Sequence, residues 1–541
     1  MSPSDESTRR NAHAAIPLFD WTASHAQRAP EQLAIHDLSA QQRYTYAELD
    51  RRARQLAAHL HAQGIGLGDR VALLAPNGVH NFDLQTACAR VGAILVPLNW
   101  RLSVPELAYI VGDADAQLLV YHQSMGPAAD ALVAERSAMG TLCIGEAQAG
   151  DAQAGEAQAG DAQTDAYEAV MAGNAAAPPA VEVQLADVSA IMYTSGTTGR
   201  PKGALITHQM TFFNAINIGI PALVGPNTVH VNVLPLFHTG GLNCYCNPVL
   251  HAGGTVLLMR QFDPAATLRV IGDPAMGLTH FFGVPANYLF MAQHPDFAST
   301  DLSRLVNAGV GGAPIALSLL DVWAQRGVAL QQGFGMTETG PSVILLDRKD
   351  MRRKVGSCGK ALVHAAARVV DADGQDVAVN QVGELLVRGP SITPGYWRRE
   401  AQTRDSFYGD WFRTGDAARC DEEGFYYIVE RWKDMYISGG ENVYPAEVEN
   451  VLSELLEIRE AAVVGMADAK WGETGCAVVV LHPGRQLTAE AVIYHCRSKL
   501  ATFKVPGKVV FVNSLPRGAT EKVLKRQLRA DLGLADPFAQ P

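Results

Sequence analysis

The chain has 541 residues, 48% of them hydrophobic, which is enough to bury more than one core, so several domains are expected. Its 44 basic and 55 acidic side chains leave a net charge of −11, which argues against nonspecific binding to nucleic acid or to an anionic membrane. No apolar run approaches membrane-spanning length, and the polar start MSPSDESTRR lacks a signal-peptide core. The eight cysteines (Cys88, Cys143, Cys244, Cys246, Cys358, Cys420, Cys476 and Cys496) are scattered without a Cys-x-x-Cys pair. Neither a disulfide framework nor a zinc site is expected, and a reducing, cytoplasmic location is. No pattern in the sequence speaks to oligomeric state.

The first part of the chain alternates helices with short buried strands. Thr45 and Glu48 form a capping box, after which Leu49, Ala53, Leu56 and Leu60 recur at helical spacing until Gly64. Strand-like runs at 71–74, 94–96 and 118–121 are separated by helical stretches, which predicts a parallel, helix-covered sheet. Residues 145–163 read GEAQAGDAQAGEAQAGDAQ, a five-residue repeat that cannot build a core, so it is read as a flexible surface insertion without chemistry.

Residues 193–204, YTSGTTGRPKGA, carry the strongest local signal. Seven of the ten positions from Thr194 to Gly203 are Gly, Ser or Thr. Small residues let several N–H and hydroxyl groups converge on one concavity, as an anion requires. Pro201 stiffens the exit and Lys202 adds a compact positive charge. The hydrolase phosphate loop needs Lys directly after Gly and before Ser or Thr. The order here is Gly-Arg-Pro-Lys-Gly, so this is a phosphate loop of another kind.

Further along, His238 lies in LPLFHTGGLN, where Gly240 and Gly241 leave room for a ligand. The run QQGFGMTETG offers an aromatic face at Phe334, a hydroxyl at Thr337 and a carboxylate at Glu338 suited to Mg²⁺. In GDWFRTGD and the following ERWKD, Asp416 and Arg431 stand fifteen residues apart, and a carboxylate there could hold both hydroxyls of a ribose. After about Arg431 the pattern becomes a shorter α+β mixture: a helix near 445–455, strands near 461–464 and 477–481, then a basic tail that includes PRGATEKVLKRQLR and Lys522. The boundary is placed near 432–434, giving an N-terminal domain over 1–431 and a mobile C-terminal domain over 432–541.

Together these motifs, in order and spacing from about Phe19 to Leu528, resemble the adenylate-forming (AMP-binding) enzymes: acyl- and aryl-CoA synthetases, peptide-synthetase adenylation domains and luciferases. Similarity is greatest to the bacterial fatty-acyl and feruloyl-type CoA synthetases, through GGAP, ISGGENVYPAEVE and KWGE. The resemblance implies an α/β fold: a large N-terminal domain of helix-covered sheets with a small barrel-like subdomain, plus a small α+β C-terminal domain. It also implies roles for individual residues. Thr194, Ser195, Gly196, Thr197, Thr198, Gly199 and Lys202 would grip the β- and γ-phosphates of ATP. Gly312, Ala313, Pro314, Gln332, Gly333 and Phe334 would line the adenine, and Asp416 and Arg431 would hold the ribose. Thr337 would touch the α-phosphate and Glu338 the Mg²⁺. His238 would sit at the mouth of an acyl pocket formed from 212–213, 280–282, 309–311 and 335–342. Lys433 would be the hinge, Gly439 and Gly440 would border the coenzyme A channel, and Lys522 would activate the carboxylate.

The expected reaction is ATP-dependent, AMP-forming ligation of a fatty or aryl acid to coenzyme A. The alternatives are an acyl-AMP ligase that loads a carrier protein, and a ligand-binding sensor without catalysis. Two positions depart from the family pattern: Phe334 where many members have Tyr, and Glu521 where Gly usually precedes the lysine. The repeat yields a prediction of its own. Because it holds no apolar residue larger than Ala, deleting 145–163 should shift the melting temperature by less than about 2 °C and leave turnover within about twofold. A larger loss in either measurement would give the repeat a role.

Overall fold

The computed structural model describes residues 16–145, 166–194, 201–431, 434–438, 441–468, 471–518 and 521–534. Residues 146–163 of the repeat, the predicted phosphate-loop residues Ser195, Gly196, Thr197, Thr198 and Gly199, the predicted hinge residue Lys433, and Gly439 and Gly440 lie outside them.

The expected alternation is present. Thr45 caps the helix Tyr46–Ala62 with a reciprocal capping box, in which its Oγ1 accepts from the Glu48 N–H at 3.2 Å and Glu48 accepts from the Thr45 N–H at 2.7 Å. Leu49, Ala53, Leu56 and Leu60 are all buried on one face, as their spacing requires. Strands Arg70–Leu74, Ile94–Pro97, Leu118–His122 and Gly140–Ile144 pair in parallel and join a six-stranded sheet. At its far edge, strands Val188–Thr194 and Lys202–Thr207 pair antiparallel. The predicted phosphate loop thus falls between two antiparallel strands, and not between a strand and a helix.

A second, nine-stranded sheet contains the parallel strands Val229–Asn232, His280–Gly283, Asn307–Val310 and Leu330–Gly335 side by side. One face supplies an apolar core, with Val231, Phe281, Ala308, Val310 and Leu330 packed around Trp323 and Tyr288. The barrel-like subdomain is a five-stranded antiparallel sheet that includes Gly383–Arg388, Trp411–Cys420 and Tyr426–Arg431.

The C-terminal region is more regular than the sequence suggests. The two short strands expected there form the long hairpin Ile458–Asp468 and Gly472–Leu481. The preceding helix ends at Leu452. What reads as a basic tail contains the helix Ala489–Lys499, the strand Lys508–Phe511 and the helix Lys525–Asp531. Their apolar faces are short, so charge dominates the sequence pattern, yet Val492, Cys496 and Leu528 are buried. No helix among the described residues is long and apolar enough to cross a membrane.

Removing the Thr45 hydroxyl deletes one acceptor of the capping box, which costs about 1 kcal/mol. Thr45→Ala should lower the first calorimetric unfolding transition by about 1–3 °C. An unchanged transition would mean that packing alone fixes the start of that helix.

Candidate active site

A large cleft runs between the second sheet, the barrel-like subdomain and the C-terminal hairpin. It is lined by Thr194, Lys202, His238, Gly312, Ala313, Pro314, Gln332, Gly333, Phe334, Thr337, Glu338, Asp416 and Lys522. These predicted site residues come from segments more than three hundred positions apart, and the fold brings them to one place.

The phosphate-loop ends are set by strand register. Thr194 and Lys202 are cross-strand partners, with the Thr194 hydroxyl 3.5 Å from the Lys202 carbonyl. The Lys202 ammonium sits 3.7 Å from the ring centroid of Tyr396. The Tyr396 hydroxyl in turn donates to Glu338 Oε1 at 2.8 Å. Glu338 is only 4% exposed, so this bond partly compensates for taking its carboxylate out of bulk water. Tyr396 thus ties the phosphate-loop lysine to the predicted metal carboxylate. The sequence reading missed it; the only local trace is the PGYW run at 394–397, whose backbone bridges to Ala204 and Gly203. Beneath the loop, Tyr193 donates to Asp113 at 2.7 Å, Asp113 also pairs with Arg399, and the Trp397 ring N–H donates to the Asp113 carbonyl at 3.0 Å.

Asp416 and Arg431, fifteen apart in sequence, face one another as Cα partners on the antiparallel pair Trp411–Cys420 and Tyr426–Arg431. Asp416 is buried, and its N–H donates to Thr414 Oγ1 at 3.1 Å. Thr337 opens a buried 3₁₀ turn directly before Glu338.

His238 Nδ1 accepts from the Gly240 N–H at 3.0 Å, which leaves Nε2 to carry the proton of the neutral ring. Burial, with the Lys522 charge as a second cause, lowers its pKa to about 3, so it is neutral at pH 7. Gly241, in the pair after it, serves a different purpose from the one expected. A Cβ on Gly241 would lie 2.2 Å from the Pro235 carbonyl oxygen, so its smallness is required by the chain's own packing and not by a ligand.

Lys522 reaches the cleft from the C-terminal region. Its Cε lies 3.5 Å from the point where a Cβ on Gly312 would stand, and Gly312 adopts φ +84°, which favours glycine. The turn carrying Lys522 is braced from both sides. Arg517 donates to the Glu521 carbonyl at 2.5 Å, pairs with the buried carboxylate of Glu460, and places its guanidinium 5.5 Å from the Phe290 ring centroid across the cleft. Glu521 itself sits at φ +59°, the left-handed region where a side chain costs about 1 kcal/mol. The position where the family pattern has Gly is one at which this turn needs glycine-like backbone geometry.

The acyl-pocket expectation needs correcting in part. Gly309, Gly311 and Phe282 line the cleft. Phe212 and Phe213 do not, for their rings pack on each other and on His251 and His364. His280 is buried and bonded to the Ala222 carbonyl at 2.8 Å, and Phe281 points into the apolar core. The residue the sequence reading missed here is Tyr245, stacked on Phe282 at 5.4 Å and 19°.

Comparison with known proteins agrees with this architecture. Residues 22–397 match the family described as AMP-binding enzyme, and residues 447–522 match the AMP-binding enzyme C-terminal domain. The chain is 38% identical over 517 residues to a feruloyl-CoA synthase of Amycolatopsis sp, covering 95% of this chain and 99% of that protein. It is 35% identical over 509 residues to a long-chain-fatty-acid–CoA ligase of Mycobacterium tuberculosis, covering 94% and 97%. Among solved structures, ATP-bound MatB from Rhodopseudomonas palustris superposes with a TM-score of 0.85 at 31% identity, covering 96% of this chain and 99% of that one.

The strained turn before Lys522 makes a direct prediction. Glu521→Gly removes the side chain from a left-handed backbone, so acyl-adenylate formation should run at between one and about five times the parent rate. A large loss, measured by pyrophosphate release, would mean that Glu521 orients Lys522.

Proposed function

We propose how the work is divided among residues in a chain that belongs to the AMP-binding enzyme family and is an ATP-dependent, AMP-forming acid–CoA ligase working through an acyl-adenylate. A carboxylate is a poor acyl donor, because its leaving group would be oxide. In the first step a carboxylate oxygen bonds to the α-phosphorus of ATP, the bond from that phosphorus to the bridging oxygen breaks, and pyrophosphate leaves. In the second, the sulfur of coenzyme A bonds to the acyl carbon, the carbon–oxygen bond to AMP breaks, and the thiol proton passes to solvent. Both reactants of the first step are anionic, so the site must supply positive charge and hold them in line.

Lys522 supplies that charge between carboxylate and α-phosphate. The observation that supports this role is its reach to Gly312, in the same cleft as Thr337, Glu338 and His238. Lys202, held over Tyr396, takes the β- and γ-phosphates together with the 194–199 loop. Gly312, Ala313, Pro314, Gln332, Gly333 and Phe334 form the adenine wall, with Phe334 offering its ring face. Asp416 and Arg431 take the ribose. Neutral His238 presents a donor at the mouth of the acyl pocket without opposing the charge of Lys522.

Glu338 suits Mg²⁺, which needs only one or two carboxylates besides water and substrate phosphates, and among the described residues no cluster of three or more ligands competes for it. Mg²⁺ bound there supplies neutralisation of the phosphate charge. For the second step the region after 432 rotates about Lys433. That motion withdraws Lys522 and brings Gly439 and Gly440 to the coenzyme A channel. The free, scattered cysteines support a cytoplasmic, reducing location.

Separating the half-reactions tests the scheme. Lys522→Ala should depress pyrophosphate release by several hundredfold or more, since a transition-state charge contact in a water-poor site is worth roughly 3–4 kcal/mol. Given pre-made acyl-AMP and coenzyme A, the same variant should form thioester at a near-normal rate. Lys433→Pro should do the reverse, because a fixed φ blocks rotation but not the first chemistry. Equal losses in both halves for both variants would sink the alternation.

A further inference from the structure

The helix Val104–Ala114 already has an apolar side, on which Leu107, Ile110, Val111 and Ala114 are buried in a core shared with the first sheet. A helix held by packing alone needs nothing more. Yet Tyr109 and Asp113, four residues apart and therefore neighbours on the helix surface, make a second, polar attachment. The Asp113 side chain is only 12% exposed, and a carboxylate taken that far out of water has to be matched by partners.

Those partners all lead to the phosphate end of the cleft. One Asp113 oxygen accepts from the Tyr193 hydroxyl at 2.7 Å, the other pairs with Arg399, and the backbone carbonyl accepts from the Trp397 ring N–H at 3.0 Å. Arg399 also donates to the Tyr109 hydroxyl at 3.3 Å, and that hydroxyl donates to the Pro201 carbonyl at 3.2 Å. Burial, and after it the bond to Asp113, holds the Tyr193 phenol above its ordinary pKa, so it stays a donor. Tyr193 directly precedes Thr194, and Pro201 directly precedes Lys202. One helix thus grips the chain beside each of these two cleft-lining residues.

The strand pair closes on this anchor. Trp397 N–H donates to the Gly203 carbonyl at 2.8 Å. A Cβ on Gly203 would lie 2.4 Å from Ile191 Cγ2 and 3.2 Å from Tyr193 Cζ, so the neighbouring side chains already occupy the space that a side chain there would need. The cross-strand pairs Tyr193–Gly203 and Thr194–Lys202 then set the separation of the two ends. Tyr109, Tyr193, Thr194, Pro201 and Lys202 line the cleft, and among the described lining residues Asp113 is absent. Charged and polar groups aid an anionic reactant most when their geometry is set before it arrives.

We propose that Asp113, with Tyr109 and Arg399, is a positioning residue for the β- and γ-phosphate end of ATP: it fixes Tyr193 and Pro201, and through them Thr194 and Lys202, without touching the nucleotide. The inference rests on the assignment of Thr194 and Lys202 to those phosphates and adds the residues that hold them in place.

The test uses the full chain and compares calorimetric binding of ATP and of AMP in the presence of Mg²⁺, because AMP lacks the β- and γ-phosphates and reports the rest of the nucleotide site. Asp113→Ala should weaken ATP binding at least about tenfold and AMP binding less than about twofold. Asp113→Asn keeps an acceptor for Tyr193 but loses the charge opposite Arg399, and should fall between parent and Asp113→Ala. Tyr193→Phe and Tyr109→Phe each remove one fastening and no charge, and should each weaken ATP by about threefold or more with AMP unchanged. With ferulate and decanoate as probe acids, pyrophosphate release by Asp113→Ala at low ATP should fall in proportion to the lost affinity. Thioester formation from the pre-made acyl-AMP of either acid should stay within about twofold of the parent, since that substrate carries neither phosphate. Equal losses for ATP and AMP, or no loss for either, would overturn the inference; if Asp113→Ala melts well below the parent, the two Phe variants decide it by the same criterion. Lys202→Ala separates this inference from the reading beneath it. If Lys202→Ala weakens ATP selectively and Asp113→Ala does not, the positioning role alone falls. If Lys202→Ala weakens both nucleotides equally, the phosphate assignment falls with it.

Discussion

One contact organises this molecule: a lysine ammonium on the C-terminal region reaches a stretch of N-terminal backbone that has no side chain. Lys522 stands in van der Waals reach of Gly312, which adopts a backbone angle that other residues resist. The constraint behind it is electrostatic. Two anions must be brought together in a partly dehydrated cleft, where an uncompensated charge costs far more than in water. A cation reaching the cleft from the C-terminal region meets that requirement. Arg517 holds the delivering turn, anchored on one side to Glu460 and on the other against Phe290.

The same electrostatic demand shapes the phosphate end of the cleft. Lys202 and Glu338 are a cationic and an acidic residue that line the same cleft. Tyr396 stands between them, giving its ring face to the cation and its hydroxyl to the carboxylate. That arrangement holds both groups through one side chain. The edge hairpin that places Lys202 is held by the Gly395–Trp397 backbone on one side and by the Tyr193–Asp113 bond beneath.

The two faces of the nine-stranded sheet show how a scaffold and a site share one set of strands. Side chains alternate, so Val231, Phe281, Ala308 and Leu330 form the core while their neighbours His230, His280, Asn307 and Gln331 face the other way. Burying those polar groups is tolerable because nearly all their hydrogen-bonding atoms are matched, Asn307 donating to both Tyr245 and Gln331. The alternation also explains why an acyl pocket read as a continuous run, 280–282, was half correct: Phe282 lines the cleft, whereas Phe281 belongs to the core.

The sequence by itself determined the family, the order of the motifs and the fold class, because each motif is a local solution to a local demand. Small residues beside a lysine suit a phosphate, a capping box starts a helix, and apolar runs of strand length between helical stretches imply a parallel sheet. Asp416 and Arg431 were legible for the same reason, since strand register turns their separation into adjacency. Only the tertiary structure decided that Tyr396 bridges Lys202 and Glu338, that Arg517 braces the Lys522 turn against Phe290, and that Tyr245 stacks on Phe282. It also decided that Gly241 serves packing and that Phe212 and Phe213 lie elsewhere. None of these residues sits in a pattern with its sequence neighbours that marks its role. For Tyr396, Arg517 and Tyr245 the decisive partners lie tens to hundreds of positions away, and such proximity is set by how the sheets pack, which no local window of sequence contains.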